Sequence, residues 1–186
     1  MSAEEPLDRR QGKTRQAIRK AFIELVFERN YPAVTVAAVA ARANVGRSTL
    51  YEHFRTKSDL LSDSLAEPMA ALASVIGARD VPSHLGMWLR HFRDRQALAR
   101  MLFHLPARDV MLAVLTRHIE GRLVRLAETS GPVALPLGLL AAQVAAAQLA
   151  LLTPWILGQV AMSQTVMAEA LHRTSRGLVG AMMDVA

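Results

Sequence analysis

Residues 35–57 read TVAAVAARANVGRSTLYEHFRTK, and this stretch decides the fold expected for the N-terminal part of the chain. Thr35 is a favoured N-cap residue, and apolar spacing predicts a short helix over 36–43. Asn44 ends that helix, and a second helix is predicted over 47–54 with Leu50 and Phe54 on one face. Two short helices joined by a tight turn are typical of a helix-turn-helix, which places its second helix in the major groove of DNA.

The charge of this stretch agrees with a nucleic-acid partner. Between positions 42 and 57 there are four basic residues and one acidic residue, a net charge of +3 over 16 positions. The basic residues are Arg42, Arg47, Arg55 and Lys57, and the acid is Glu52. Because Lys and Arg near a helix-turn-helix neutralise phosphates, we expect double-stranded DNA as the partner.

A longer amphipathic helix is predicted before this stretch, over residues 13–29. Its apolar residues recur at helical spacing: Ile18, Phe22, Leu25 and Val26. Asn30 then offers a left-handed cap, and Pro32 prevents the helix from continuing. On the other side of the stretch, Ser58 is the predicted cap of a fourth helix.

The remainder of the chain also shows helical periodicity. Apolar residues predict further helices over 65–76, 85–92, 98–105, 110–126, 135–157 and 166–183. Gly, Pro and Ser mark the breaks between them, and no strand-like alternation of useful length is present. The expected fold class is therefore all-α.

One segment raises the alternative of a membrane protein. From Thr129 to Ala168 there is no charged residue over 40 positions. The segment contains Gln, Pro and Gly, and it lacks flanking basic clusters and aromatic belts, so a buried helix of a soluble protein fits it better. The N-terminus has acidic residues where a secretory signal needs basic ones, and we expect a cytoplasmic protein with no membrane partner.

Composition excludes several other classes. The chain has 186 residues, a formal net charge of +6 and no Cys, which excludes disulfide scaffolds, thiolate metal sites and cysteine nucleophiles. It carries no nucleophile elbow, phosphate-binding loop or His-Glu-x-x-His motif, so no catalytic residues and no cofactor are predicted. His84 and His91 share a helical face with Trp88, but no carboxylate or thiolate joins them there, so no metal site is predicted.

At this point the sequence resembles the TetR family of bacterial one-component regulators. The resemblance lies in Thr35-Val36 opening a helix, the Ala-Asn-Val-Gly turn at 43–46, and Leu-Tyr-Glu-His-Phe at 50–54 followed by Lys57, Leu60 and Leu61. It covers about residues 11–61. It implies a three-helix DNA-binding domain over 11–70, followed over 71–186 by a larger helical domain for effector binding and dimerisation.

The resemblance also implies roles for individual residues in DNA binding. Those named by it are Thr35, Arg47, Ser48, Thr49, Tyr51, His53 and Lys57. Thr35 would cap a helix and touch a phosphate, and the residues at 47–49 would face base edges, where Arg can contact guanine O6 and N7. Tyr51 and Lys57 would bind phosphates, and His53 would approach the backbone. The chain departs from the family in having Asn30 and Asn44 where Gly is usual, and Gly46 where Ser or Thr is usual.

The C-terminal part yields weaker expectations. The candidates for an effector pocket are large apolar residues with one polar group: Trp88, Phe92, Phe103, Met111, Gln143 and Trp155. The candidates for a dimer interface lie on two helices: Leu140, Val144, Leu151, Leu171, Leu178 and Met182. Apolar periodicity does not say which partner buries a residue, so the alternative for both sets is the core of a single chain.

These observations favour a ligand-responsive transcriptional regulator. The expected form is a homodimeric repressor that binds a palindromic operator and is released by a small, hydrophobic effector of unknown identity. The alternative is a helical membrane-associated or scaffold protein built on the uncharged segment. An enzyme is the least favoured class because no catalytic motif is present.

Overall fold

The computed structural model describes residues 4–96, 102–103, 106–131 and 133–183, and over these residues it contains helices and no strand. The all-α prediction is confirmed. The helices are α1 (Glu4–Arg29), α2 (Val36–Arg42), α3 (Arg47–His53), α4 (Lys57–Ala73), α5 (Ser83–Asp94), α6 (Ala107–Ser130), α7 (Leu137–Ile156) and α8 (Gln164–Met183), with a short 3-10 helix at Tyr31–Ala33. Most of the helix predicted over 98–105 lies outside the described residues.

The chain divides into two compact units, Met1–Ser64 and Leu65–Ala186. The boundary between them falls inside α4, and so does the end of the DNA-binding domain predicted at residue 70. Pro68 lies in the same helix, just after the boundary. A proline has no backbone N–H, so the carbonyl four residues earlier, that of Ser64, receives no helical hydrogen bond from it.

The first unit has its core between α1 and the two helices of residues 35–57. Ile18, Phe22 and Leu25 on α1 are buried, as the predicted stripe requires, together with Val39 on α2 and Leu50 on α3. In the loop after α1, the Tyr31 ring meets the Phe22 ring edge-on, with centroids 6.2 Å apart. Pairs of this geometry add to what area burial alone contributes.

Local backbone features confirm most of the predicted helix ends. The hydroxyl of Thr35 accepts a hydrogen bond from the N–H of Ala38 at 3.2 Å, as an N-cap does. Asn30 and Asn44 both have positive φ values, 64° and 53°, which Asn tolerates better than most residues. The ψ of Asn30 is 149°, so Asn30 does not adopt the left-handed helical conformation that the predicted cap requires.

The predicted cap of the fourth helix, Ser58, is wrong because α4 begins one residue earlier. Thr56 occupies the capping position: its hydroxyl accepts from the N–H of Asp59 at 3.0 Å, and the Asp59 carboxylate accepts from the N–H of Thr56 at 2.9 Å. This is the reciprocal pair of a capping box, with Asp in place of the usual Glu.

The second unit is organised around α7, which packs against α6 and α8. Leu140, Val144 and Leu149 have no exposed surface, and neither do the small residues Ala141 and Ala145 that let neighbouring helices approach closely. By length and composition α7 is a candidate membrane span, but half of its most apolar window is buried inside the chain. The uncharged segment therefore supplies the central helix of a packed unit, as a buried helix that is apolar on most sides does.

Three polar side chains hold the backbone at and after the end of α4. Arg122 on α6 donates to the carbonyl of residue 76 at 3.3 Å, and Gln148 on α7 donates to that of residue 72 at 3.4 Å. A ring nitrogen of His172 on α8 lies 3.0 Å from the carbonyl of residue 78. Residues 72–78, which we call the exit segment, are thus tied separately to three helices.

The Thr35 cap can be tested by substitution. Replacing Thr35 with Ala removes the acceptor for the N–H of Ala38 and should lower the free energy of unfolding of the first unit by about 1 kcal/mol. Thr35→Ser keeps a hydroxyl and is the matched control. Urea unfolding followed by circular dichroism measures both variants, and equal stability of the Ala and Ser variants would contradict the capping role.

Candidate nucleic-acid interface

The orientation of α3 is set by two buried side chains. Leu50, in the middle of the helix, and Phe54, at its C-cap, are 1% and 3% exposed. Arg47, Ser48 and Tyr51 then lie in solvent, with 52% of Tyr51 exposed. Because Leu50 and Phe54 are four residues apart, they share one face, and the helix presents its polar residues on the other side.

The remaining DNA-contact candidates have mixed environments. Thr49 and His53 are half-buried, and the His53 ring lies 6.4 Å from the Phe54 ring, centroid to centroid. Thr35 is exposed, although its hydroxyl is engaged in the cap of α2. The structure therefore places Arg47, Ser48, Tyr51 and Thr35 at the surface of the first unit, while their contacts with DNA stay a prediction.

Arg42 serves as a brace between α2 and α1. Its two terminal nitrogens each donate to a carboxylate oxygen of Glu28 at 2.8 Å, and Glu24 lies 3.6 Å away. This two-point geometry is the one in which Arg pairs best with a carboxylate. The hydrogen bond from Arg42 lowers the pKa of Glu28 and keeps that carboxylate charged. The Arg42 guanidinium is therefore occupied by carboxylates of the same chain.

Lys57 is also turned toward the protein, while its predicted contact with phosphate stays a prediction. Its ammonium donates to the carbonyl of Tyr31 at 2.9 Å and to that of Pro32 at 3.1 Å, and it lies 4.6 Å from the centroid of the Tyr31 ring. Two of its three N–H groups are thus used to hold the 3-10 helix against the start of α4. The third N–H group is the one that remains for a phosphate.

The free positive charge of the helix-turn-helix is therefore smaller than the sequence count. Of the four basic residues counted between 42 and 57, Arg47 and Arg55 are exposed and form no ion pair within the described part of the chain. Sequence reasoning counted Arg55 in the net charge but did not name it as a contact residue. Arg55 directly follows Phe54, which anchors α3, and this position in the sequence could have indicated an exposed cation beside the helix.

A second brace connects α1 with α4. The guanidinium of Arg15 donates to the carboxylate of Asp63 at 2.5 Å, and this hydrogen bond raises the pKa of Arg15. The same guanidinium lies 5.3 Å from the centroid of the Phe54 ring. Since Phe54 anchors the end of α3, the contact fixes the position of α3 relative to the two longer helices of the unit.

The predicted effector residues have different environments in the part of the chain that the structure describes. Phe92, Phe103 and Met111 are buried, and Trp88 is half-buried with its ring edge against the ring of His91 at 5.4 Å. Trp155 lines a cavity of about 170 Å³ that none of the others reaches. Gln143 is exposed on the surface of α7, and its place in an effector pocket stays a prediction.

The predicted dimer residues divide into two groups. Leu140, Val144 and Leu171 have no exposed surface in a single chain, so they belong to the core of the second unit and cannot form the surface of an interface. Leu151, Leu178 and Met182 are partly exposed, and their role in a dimer stays a prediction. The surface that α7 actually presents is uncharged and consists of Leu139, Ala142, Gln143, Ala146 and Ala150.

Comparison with known protein families agrees with the geometry of the first unit. The family model described as "Bacterial regulatory proteins, tetR family" matches residues 18–63, which run from α1 to α4. A protein of Bacillus subtilis (strain 168), described as an uncharacterized HTH-type transcriptional regulator and named YxbF, is 27% identical over 85 residues. That alignment spans 45% of the present chain and 22% of the Bacillus protein.

Solved structures extend the likeness to both units. A TetR transcriptional regulator from Streptococcus agalactiae 2603V is 28% identical, with a TM-score of 0.59, covering 93% of this chain and 99% of that one. The TetR family repressor FadR of Thermus thermophilus, solved in complex with lauroyl-CoA, has a TM-score of 0.53 and 19% identity, covering 90% and 94%. The second likeness concerns the fold alone.

The brace formed by Lys57 predicts a structural effect of its removal. Lys57→Met keeps the aliphatic stem but loses both hydrogen bonds to the carbonyls at 31 and 32, so the first unit should lose about 1 kcal/mol of stability. Amide exchange around residues 31–34 should accelerate as well. Arg55→Met, which removes an exposed cation, is the control, and identical thermal unfolding and exchange of the two variants would refute the brace.

Proposed function

We propose that the chain is a member of the TetR family of bacterial regulatory proteins, to which its first unit is similar, and that it is a ligand-responsive transcriptional repressor. In this proposal it acts in the cytoplasm as a homodimer, binds a palindromic operator and releases it when a small apolar effector binds. The observation that carries the proposal is the polar outer face of α3, which Leu50 and Phe54 hold toward solvent.

Direct readout of the operator is assigned to the start of α3. Arg47 is exposed and unpaired in the described part of the chain, so its guanidinium is free to contact guanine O6 and N7. Ser48 and Thr49 follow it and offer hydroxyl groups to neighbouring bases. Tyr51 and Arg55 are assigned to phosphates, which fix the position of the helix without reading sequence.

Dimerisation is assigned to the uncharged outer face of α7. Leu139 is 58% exposed there, and Ala142, Ala146 and Ala150 lie along the same side of the helix. Small residues allow the same helix of a second chain to approach closely, and a two-fold axis makes the contact self-complementary. Such a dimer presents two copies of α3 to half-sites related by the same axis, which is why the proposed operator is a palindrome.

Effector response is assigned to α4 and the exit segment. One end of α4 belongs to the first unit, and the exit segment at its other end is held by Arg122, Gln148 and His172 from three helices of the second unit. A ligand that binds one arrangement of those helices more tightly than another shifts the population of α4 positions. The affinity for the operator then changes by the same coupling free energy.

A membrane-associated or scaffold protein is the second candidate, and it is supported by the length and apolar composition of α7. Against it, α7 carries Gln148, whose side-chain amide donates to the hydroxyl of Ser175 at 2.9 Å inside the unit. Its apolar residues are used in packing against α6 and α8. The proposal therefore keeps a cytoplasmic regulator and assigns no catalytic role.

The proposal is tested by selecting random duplex DNA on the purified protein and titrating the enriched sequence at two salt concentrations. We expect a palindrome bound much more tightly than random DNA. Arg47→Ala should cost about 1–3 kcal/mol on the selected sequence and relax base preference, because a direct base contact is lost. Arg55→Ala, its matched partner, should weaken all sequences alike and reduce the salt slope. Weak binding that does not depend on the DNA sequence would contradict the proposed regulatory function.

The dimer face is tested by introducing a charge into it. Ala146→Glu places a carboxylate on the uncharged face of α7, and burying it against a second chain is costly. We expect sedimentation to show a monomer and operator affinity to fall. Gln159→Glu adds the same charge at an exposed position after α7 and should leave both unchanged. A dimer that survives Ala146→Glu would place the interface elsewhere.

A further inference from the structure

A small cavity in the second unit has the composition of a ligand site. It measures about 170 Å³ and lies between the C-terminal part of α5 and the turn after α7. Its lining includes Arg93, Gln96, Trp155, Gly158, Val160 and Ala161. We propose that this cavity binds a small organic monocarboxylate, with the carboxylate on Arg93 and the hydrocarbon part against Trp155 and the turn.

The walls of the cavity are held in place by hydrogen bonds of their own. The indole N–H of Trp155 donates to the carbonyl of Met162 at 2.8 Å, and the amide of Gln96 donates to the carbonyl of Ile156 at 2.8 Å. The turn itself is closed by the N–H of Gln159, which donates to the carbonyl of Pro154 at 2.8 Å. Because these groups are ordered before a ligand arrives, binding costs little conformational entropy.

Arg93 is the group that selects the charge of the ligand. Its guanidinium carbon lies 5.6 Å from the centroid of the Trp155 ring, a distance typical of a cation–π contact. Among the residues that the structure describes, no carboxylate is paired with it. A contact with an aromatic ring uses none of the five N–H donors, so they stay available for a carboxylate, whose two oxygens match the guanidinium fork.

The size and lining of the cavity select the remainder of the ligand. Sites for drug-sized molecules occupy roughly 300–1,000 Å³, so this cavity fits a single ring or a short chain. Trp155, Val160 and Ala161 give it an apolar wall, while Arg93 is the single cation of the lining. One guanidinium suits a monoanion better than a phosphate dianion, which takes more donors.

Binding is measured by tryptophan fluorescence on the 186-residue chain with Trp88→Phe. The chain has two tryptophans, so this substitution leaves Trp155 as the only one. The probes are benzoate, phenylacetate and hexanoate, with benzamide and inorganic phosphate as comparisons. We expect at least one carboxylate to change the emission saturably, with benzamide and phosphate binding more weakly. If none of the three carboxylates binds, or if benzamide or phosphate binds as well as they do, the site is refuted.

The role of Arg93 is tested against a neighbour on the same helix. Arg93→Gln removes the charge and should weaken carboxylate binding by about tenfold or more, as loss of a charged hydrogen bond does. Arg90→Gln removes an exposed arginine that does not line the cavity and should leave the affinity unchanged. Arg93→Lys keeps the charge without the fork and should recover part of the loss. Equal affinities of the Arg93→Gln and Arg90→Gln proteins would overturn the assignment.

A role of this carboxylate as the effector rests on the proposed regulatory function, whereas binding itself does not. Operator affinity is therefore measured separately, with and without saturating carboxylate. Failure to select any operator contradicts the regulator and leaves the binding result standing. Operator affinity that is unchanged by a bound carboxylate removes the effector role from this cavity, while loss of binding in the Arg93→Gln protein still supports the site.

Discussion

The first unit depends on the burial of Leu50 and Phe54 beneath α3. A helix of seven residues is too short to be stable in water by itself, because nucleation costs more than so few hydrogen bonds return. Burying a large apolar side chain contributes about 2 kcal/mol, so the two anchors supply most of what holds α3 in place. Everything on the opposite face, including the exposed position of Arg47, follows from that anchoring.

Electrostatics in this unit serves two purposes that the residue count does not separate. Arg42 and Arg15 are paired with acids on other helices, and Lys57 is directed to backbone carbonyls. These cations fix the geometry of the helix-turn-helix rather than its affinity for phosphate. In the proposed complex, the attraction to DNA falls to fewer groups, Arg47 and Arg55 among them, and we expect a smaller salt dependence than a net charge of +3 implies.

Much of the fold was predictable because local signals agreed with packing. Thr35, Asn30 and Asn44 marked helix ends through side-chain capping and tolerance of positive φ, which depend on neighbours in sequence. The cap at Thr56 was missed because Ser58 is an equally good capping residue and only the partner Asp59 distinguishes them. Leu140, Val144 and Leu171 were misplaced for a different reason. Their periodicity identifies a buried face, but a buried face within one chain and one between two chains have the same pattern.

Pro68 gives α4 a mechanical property that its length alone does not suggest. A helix of 17 residues resists bending when all of its backbone hydrogen bonds are formed, because bending would have to stretch them. At Pro68 one of those bonds is missing, and the affected carbonyl, that of Ser64, is at the boundary of the two compact units. The stiffness of the helix is therefore lowest where the two units meet along the chain.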